Sequence, residues 1–219
     1  MKKTKTKYEK IWFLIKNIKS MRLLINTFFD GYLYDTGWSQ SVISEKPVDS
    51  HGEPLPWISI PTIEILKEKD LSSLTVFEFG AGNSTIWFSK RVKNIISVEH
   101  DKKWFEFVKK LINACNSQII FKKLSYDGDY SKVILDYENI DIALVDGRDR
   151  VNCLINSINK LSKHGVIILD DSQRENYQKA INIAKENGFK DLNLVGMNVG
   201  RPMKKTTTIF YRDNNCLGL

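Results

Sequence analysis

The chain has 219 residues, 42% of them hydrophobic, and a formal net charge of +7, enough for one domain with a sizeable core. Three widely spaced cysteines, Cys115, Cys153 and Cys216, form no metal-ligand pattern and point to a reducing compartment; with no apolar run of about 18 residues to span a membrane and no signal-peptide core, a cytoplasmic protein is expected. Residues 1 to 25 hold eight basic residues and one acid while the rest of the chain has 25 of each sign, so the body has no electrostatic reason to bind nucleic acid.

Residues 1–30 form the first segment. Lys2, Lys3, Lys5, Lys7, Lys10, Lys16, Lys19 and Arg22 are mixed there with Trp12, Phe13, Leu23 and Phe28, and Ile11, Leu14, Ile15 and Ile18 recur at helical spacing. Two readings stay open. One is a basic amphipathic arm lying on an acidic partner or on an anionic membrane, with peripheral contact at the inner membrane surface through residues 1–25. The other is a solvated start followed by a helix packed on the domain, favoured because apolar residues occupy more than one face. Residues 31–71 come next, and from Gly31 to Pro61 they show no sustained period. A loop of that length is uncommon in a compact domain unless it is functional, and Trp38 and Trp57 are side chains that seek burial. The segment reads as a cover over a site or as a plug at one end of a sheet. Pro61 suits the first turn of a short helix through Ile63, Leu66 and Lys67.

From residue 72 to 219 the pattern alternates. Strand-like apolar runs lie at 74–79, 94–98, 118–122, 140–145 and 165–169, separated by helix-like stretches at 84–91, 101–114, 150–162 and 172–187. Runs buried on both faces and separated by helices imply a parallel sheet with helical crossovers. The last two runs, FKDLNLVG and TTTIFYR, have only the loop MNVGRPMKK between them and should pair antiparallel at one edge. The expected fold class is α/β: a Rossmann-like, mostly parallel seven-stranded sheet with helices on both faces and an antiparallel C-terminal strand pair.

Open sheets of this kind bind ligands beyond the carboxyl ends of their strands. The first strand ends in Glu78-Phe79-Gly80-Ala81-Gly82-Asn83-Ser84-Thr85, the second in Glu99-His100-Asp101, the third near Ser125-Tyr126-Asp127, the fourth in Asp146-Gly147 and the fifth in Asp170-Asp171-Ser172. A dinucleotide fingerprint wants a third glycine where Thr85 stands, and a phosphate-binding loop wants a lysine after its last glycine; neither is present. Glu99, at the end of the second strand, suits a ribose with both hydroxyls free. Tight-turn glycines and a helix N-terminal charge are the structural alternatives.

The stretches "VFEFGAGNSTIWF", "SVEHD", "DIALVDGRDR" and "GVIILDDS" resemble the class I S-adenosylmethionine-dependent methyltransferases over residues 72 to 211. The upstream "GWSQS" and "PVDSHGEPLPWISIP" resemble a little-characterised bacterial subgroup, some of whose members are associated with glycan biosynthesis. The resemblance implies S-adenosylmethionine as cofactor. Gly80, Ala81, Gly82, Asn83, Ser84 and Thr85 would receive its methionine part, Glu78 would face its ammonium, and Glu99 would hold its ribose. His100, Ser125 and Tyr126 would border the adenine, and Asp146 would stand by the methyl group. The subgroup likeness also implies a small-molecule or glycan hydroxyl acceptor. Transfer to a hydroxyl needs a base, and Asp146 and Asp170-Asp171, ending neighbouring strands in the implied order, should converge there, with Asp146 the leading candidate and Asp171 beside it. Mg²⁺ among the clustered acids is the less favoured option, since Arg148, Arg150 and Arg174 could neutralise them, and no metal ligand is assigned. Ser172-Gln173-Arg174-Glu175 has the form of a capping box, so Asp171 could instead merely open a helix. The alternatives are an NAD-type oxidoreductase, disfavoured by Thr85, and a non-enzymatic cofactor-binding protein tethered by its arm.

Overall fold

The computed structural model describes residues 6–112 and 114–219, so Lys2, Lys3 and Lys5 of the basic segment lie outside the described residues. Five helices precede the sheet: α1 (Lys7–Lys16), α2 (Ile18–Asp30), α3 (Tyr32–Asp35), α4 (Trp38–Ser44) and α5 (Ile60–Lys67). The chain then alternates through β1 (Thr75–Phe79), α6 (Asn83–Ser89), β2 (Asn94–Glu99), α7 (Lys102–Leu111), β3 (Ser117–Phe121), α8 (Asp129–Lys132) and β4 (Ile140–Val145). It continues with α9 (Arg150–Ser157), β5 (Leu161–Asp170), α10 (Gln178–Glu186), β6 (Lys190–Asn198) and β7 (Arg201–Tyr211).

The seven strands form one sheet in the order β3-β2-β1-β4-β5-β7-β6. β1 to β5 are parallel, and β7 runs antiparallel between β5 and β6. This is the Rossmann-like α/β architecture expected from the alternation. The strand order reverses between β1 and β4, so the crevice beyond their carboxyl ends is the natural ligand position.

Alternation along the central strands divides the core in two. Val76, Ile95, Ile142, Leu144 and Ile168 pack with α5, α6 and Leu55 on one face. Phe77, Phe79, Val98, Ala143, Val145 and Ile167 pack with α8, α9 and α10 on the other. Most polar residues buried here are hydroxyl side chains, but Glu78 and Asp170 are carboxylates with no exposure at strand ends. Those two exceptions mark the site.

Three local expectations are corrected. Residues 31–61 are not devoid of regular structure, since α3 and α4 lie within them. The supposed loop at 197–205 is mostly strand, with β6 running to Asn198 and β7 starting at Arg201. An edge hairpin is solvated enough to accept Lys204, Pro202 and Gly200, residues that look like a loop in sequence. The helix expected from Ser172 begins only at Gln178, after a 3₁₀ turn over Glu175–Tyr177. The capping box does not form: the Ser172 amide donates to the Thr206 carbonyl at 3.0 Å and its hydroxyl does so at 3.3 Å. Asp171 itself takes a left-handed conformation, φ 54°, and opens no helix.

Candidate functional site

β1 delivers Glu78 to the end of the sheet with no solvent exposure. One of its oxygens, Oε2, accepts from the Thr85 hydroxyl at 2.5 Å and from the Ser97 hydroxyl at 2.6 Å. The other, Oε1, is buried and meets no donor in hydrogen-bond geometry among the described residues, although the Ser84 side chain is near enough to favour the ionised form. Burial pushes this carboxyl up to about 7, against the lowering effect of Ser84, Ser97 and Thr85. Thr85 turns the loop as well, because its Oγ1 accepts the Gly82 amide at 2.9 Å. A third glycine at this position could make neither bond.

The two glycines do different things. Gly80 has φ 99°, and a Cβ there would lie 2.9 Å from the Gly147 Cα, so β1 and β4 approach closely at the switch point. Gly82 is extended, φ 176°, and a Cβ there would meet only the Trp104 ring at 3.9 Å. Open space therefore adjoins the loop at Gly82. Trp104, unmarked in the sequence reading, fixes the loop by donating its indole N–H to the Ala81 carbonyl at 2.7 Å.

Glu99 ends β2 and is 4% exposed. Its Oε1 accepts the backbone N–H groups of His100 and Asp101, each at 2.7 Å, and its Oε2 accepts the Ala81 N–H at 3.2 Å. A carboxylate oxygen accepts about two hydrogen bonds, so Oε2 retains the capacity for one more donor while Oε1 is filled by its own loop. His100 Nδ1 lies 2.8 Å from Oε1, and the His100 ring stands edge-on to Tyr130 at 5.7 Å.

β4 and β5 pair with Val145 beside Leu169, which sets Asp146 and Asp170 side by side at the strand ends. Arg150 bridges them, with Nη2 3.0 Å from Asp146 Oδ1 and Nη1 3.4 Å from Asp170 Oδ2. Lys205 of β7 stands 2.7 Å from Asp170 Oδ2 and 3.8 Å from Asp171 Oδ1. Arg174 pairs with Asp171 from outside. Burial first, and the Asp170 charge second, hold the Asp146 carboxyl well above the usual carboxylate range, opposed by Arg150 and Lys205. Among the described residues no group of three or more His, Cys, Asp or Glu side chains is placed to hold a metal ion. Of the arginines expected to neutralise the acids, Arg150 and Arg174 pair with them, and Arg148 has no ion pair among the described residues. Lys205 was not anticipated, because Lys204-Lys205 reads as a loop until strand alternation turns one lysine outward and the other inward.

The residues upstream of β1 lean on this site. Asn83 donates to the Pro47 carbonyl at 2.8 Å, and Lys205 donates to the Trp57 carbonyl at 2.7 Å. A cavity of about 310 Å³ lies there, lined by Ser41, Lys46, Pro47, Trp57, Gly200 and Arg201 among others. Trp38 is buried, but Trp57 is 46% exposed and is held by its indole N–H to the Val199 carbonyl. Two further candidates, Ser125 and Tyr126, follow β3, and Tyr126 is 74% exposed. Tyr130, three residues past Asp127, is fully buried, its hydroxyl without a hydrogen-bond partner among the described residues, and a Cβ on Gly147 would lie 2.1 Å from that oxygen.

No protein-family model matches this chain, and no curated protein matches it. Solved structures match its fold. A precorrin-6y C5,15-methyltransferase from Geobacter metallireducens gives a TM-score of 0.55 at 14% identity, covering 70% of this chain and 88% of that one. A methyltransferase from Geobacter sulfurreducens gives 0.54 at 12% identity, covering 89% and 96%. A methyltransferase-like protein from Silicibacter pomeroyi gives 0.50 at 18% identity, covering 74% and 90%.

Proposed function

We propose that this chain, which has the fold of the class I S-adenosylmethionine-dependent methyltransferases, is itself such an enzyme and O-methylates a small or glycan-type hydroxyl acceptor. The observation that carries this reading is Glu78 Oε1, a buried acceptor without a hydrogen-bond partner among the described residues, beside a glycine loop with open space at Gly82. A buried carboxylate oxygen left unpaired is costly, and the cofactor's ammonium answers it. Glu99 Oε2, with room for one more donor, suits a ribose hydroxyl, and His100 stands beside it. No anion-binding lysine follows Gly82, in keeping with a cofactor that carries no phosphate. Thr85, tied to both Glu78 and Gly82, occupies the position where a dinucleotide site has glycine. In this reading residues 1–30 are an arm, 31–71 a cover and 72–219 the cofactor domain, working in the cytoplasm.

When bound, the cofactor supplies an electrophilic methyl group. The chain's own task is to orient the acceptor and take the proton that its hydroxyl gives up. Asp146 is placed for the proton, and its raised pKa makes it a stronger base than an ordinary carboxylate. Arg150 holds that side chain in place, and with Lys205 it balances Asp170 and Asp171, so that Mg²⁺ is the less favoured counter-charge. The acceptor enters by the cavity at Trp57, whose exposed ring offers an apolar face to a sugar.

Calorimetry with S-adenosylmethionine, its demethylated product and NAD tests the assignment. Binding of the first two and not of NAD is expected. Gly82→Asp should abolish binding without unfolding the protein, because the backbone there is extended and a Cβ is unobstructed. Wild-type protein that binds neither sulfur compound, or unchanged affinity in Gly82→Asp, would overturn the reading.

A further inference from the structure

α1 and α2 bury no residue of their own. In α1, Tyr8, Ile11, Trp12 and Ile15 fall at the spacing of one helical face, and their exposures are 83%, 46%, 60% and 60%. In α2, Ile18, Met21 and Ile25 repeat the pattern, with Leu23, Leu24 and Phe29 each more than half exposed. Isolated exposed apolar residues are ordinary, but a contiguous run of this density marks a surface that something covers. Lys7, Lys10, Lys16, Lys19 and Arg22 stand among them, all exposed, and Lys16 lies 3.5 Å over the Trp12 ring. Three more lysines precede Thr6 in the sequence, and Glu9 is the single acid before Asp30.

We propose that α1 and α2 form an interfacial anchor that lays this chain on an anionic lipid surface. The choice of partner rests on charge and side-chain type together. An excess of lysine around tryptophan, tyrosine and aliphatic residues complements a negatively charged headgroup layer above an acyl interior. A face buried against a second copy of the chain would bring eight like charges per protomer together at one seam, which is unfavourable. The anchor is also firmly joined to the domain. The Phe28 carbonyl accepts the Ser39 hydroxyl, the Phe28 ring packs edge-on against Trp38, and the Trp38 indole donates to the Arg201 carbonyl at 3.1 Å. Arg201 and α4 line the cavity described above, so the anchor would set that cavity close to the lipid.

Flotation of the full-length protein with vesicles of phosphatidylcholine alone, and of phosphatidylcholine mixed equally with phosphatidylglycerol, tests this. The protein should float with the mixed vesicles only and be released by salt. Reversal of Lys7, Lys10, Lys16 and Lys19 to Glu should weaken partitioning by at least about fivefold per position, the factor equivalent to roughly 1 kcal/mol per basic side chain. The pair Ile15→Asp and Leu24→Asp, at exposed positions that do not disturb the fold, should abolish it. Absence of flotation, or equal flotation with both vesicle types, overturns the proposal. So does a vesicle-free oligomer, seen by light scattering, that the Ile15→Asp and Leu24→Asp pair disperses, since that would make a second copy the occupant.

Discussion

A carboxylate with no solvent exposure at the end of a central strand is costly unless something positive meets it. Glu78 is in that position, and burial raises its pKa from 4.5 to about 7. The folded protein therefore holds the proton more tightly than the unfolded chain does. Its stability falls as pH rises from about 4.5 to about 7, by up to roughly 3 kcal/mol. An ammonium at Oε1 favours the ionised form, so cofactor affinity should rise over the same window and binding should release a proton. Glu78→Gln removes the charge and keeps the shape. It should be more stable than wild type at pH 8, close to it at pH 4.5, and bind the cofactor weakly with no pH dependence. Thermal denaturation at both pH values and calorimetry across the window check this. An equal change in stability at pH 4.5 and pH 8 would show that the buried charge is not the cause. Glu78 and Thr85 were legible in the sequence because they flank the glycines. Ser97, the second hydroxyl on Glu78, was not, because only the parallel register that pairs Glu78 with Ser97 brings it there.

At the level of elements, strand register does most to assemble the carboxylate cluster. Asp146 and Asp170 come from neighbouring parallel strands, Arg150 from the first turn of α9, and Lys205 from the antiparallel β7. The parallel strands were readable from their apolar runs, which fixed where the acids would converge. Lys205 was hidden because β7 extends several residues beyond its apolar part, so its inward-facing polar positions lack a periodic signal. The α10 start was misread for a related reason: Ser172 has a better partner in Thr206 of β7 than in its own helix. Long-range pairing outcompetes a local cap. The cluster yields a prediction on catalysis. Asp146→Asn, with Arg150 and Lys205 still balancing Asp170 and Asp171, should leave cofactor affinity within roughly threefold while lowering turnover about a hundredfold or more. Wild-type turnover should rise with pH along a limb placed well above the usual carboxylate range, the direction in which burial and Asp170 push Asp146. The variant should lack that limb. Unchanged turnover in Asp146→Asn would remove it from the role of base.

At the scale of the whole molecule, the α/β body was readable because its signal is local and repeated: an apolar run, a helix, another run. Residues 31–59 were not, because they are stabilised one by one against distant partners. Trp57 rests on Val199, Asn83 on Pro47 and Trp38 on Arg201, pairings without sequence periodicity. The N-terminal helices are the opposite case. Their periodic apolar faces were visible, but the expected packing against the domain is absent over most of their length, since neither helix buries a residue. Contact with the body begins at Thr27 and Phe28, which are half-buried. A chain lacking residues 1–20 therefore loses α1 and the first three residues of α2 and gives up almost no buried apolar area. Its stability should fall by less than about 1 kcal/mol, which for a domain of this size lowers Tm by no more than about 2–4 °C. Every group assigned to the cofactor lies downstream of Phe77, so affinity for S-adenosylmethionine should match that of the full chain. Calorimetry and thermal denaturation of the two forms decide the matter. A larger fall in Tm would mean that the arm packs on the body as the sequence pattern favoured, and a loss of cofactor affinity would place part of the arm in the site.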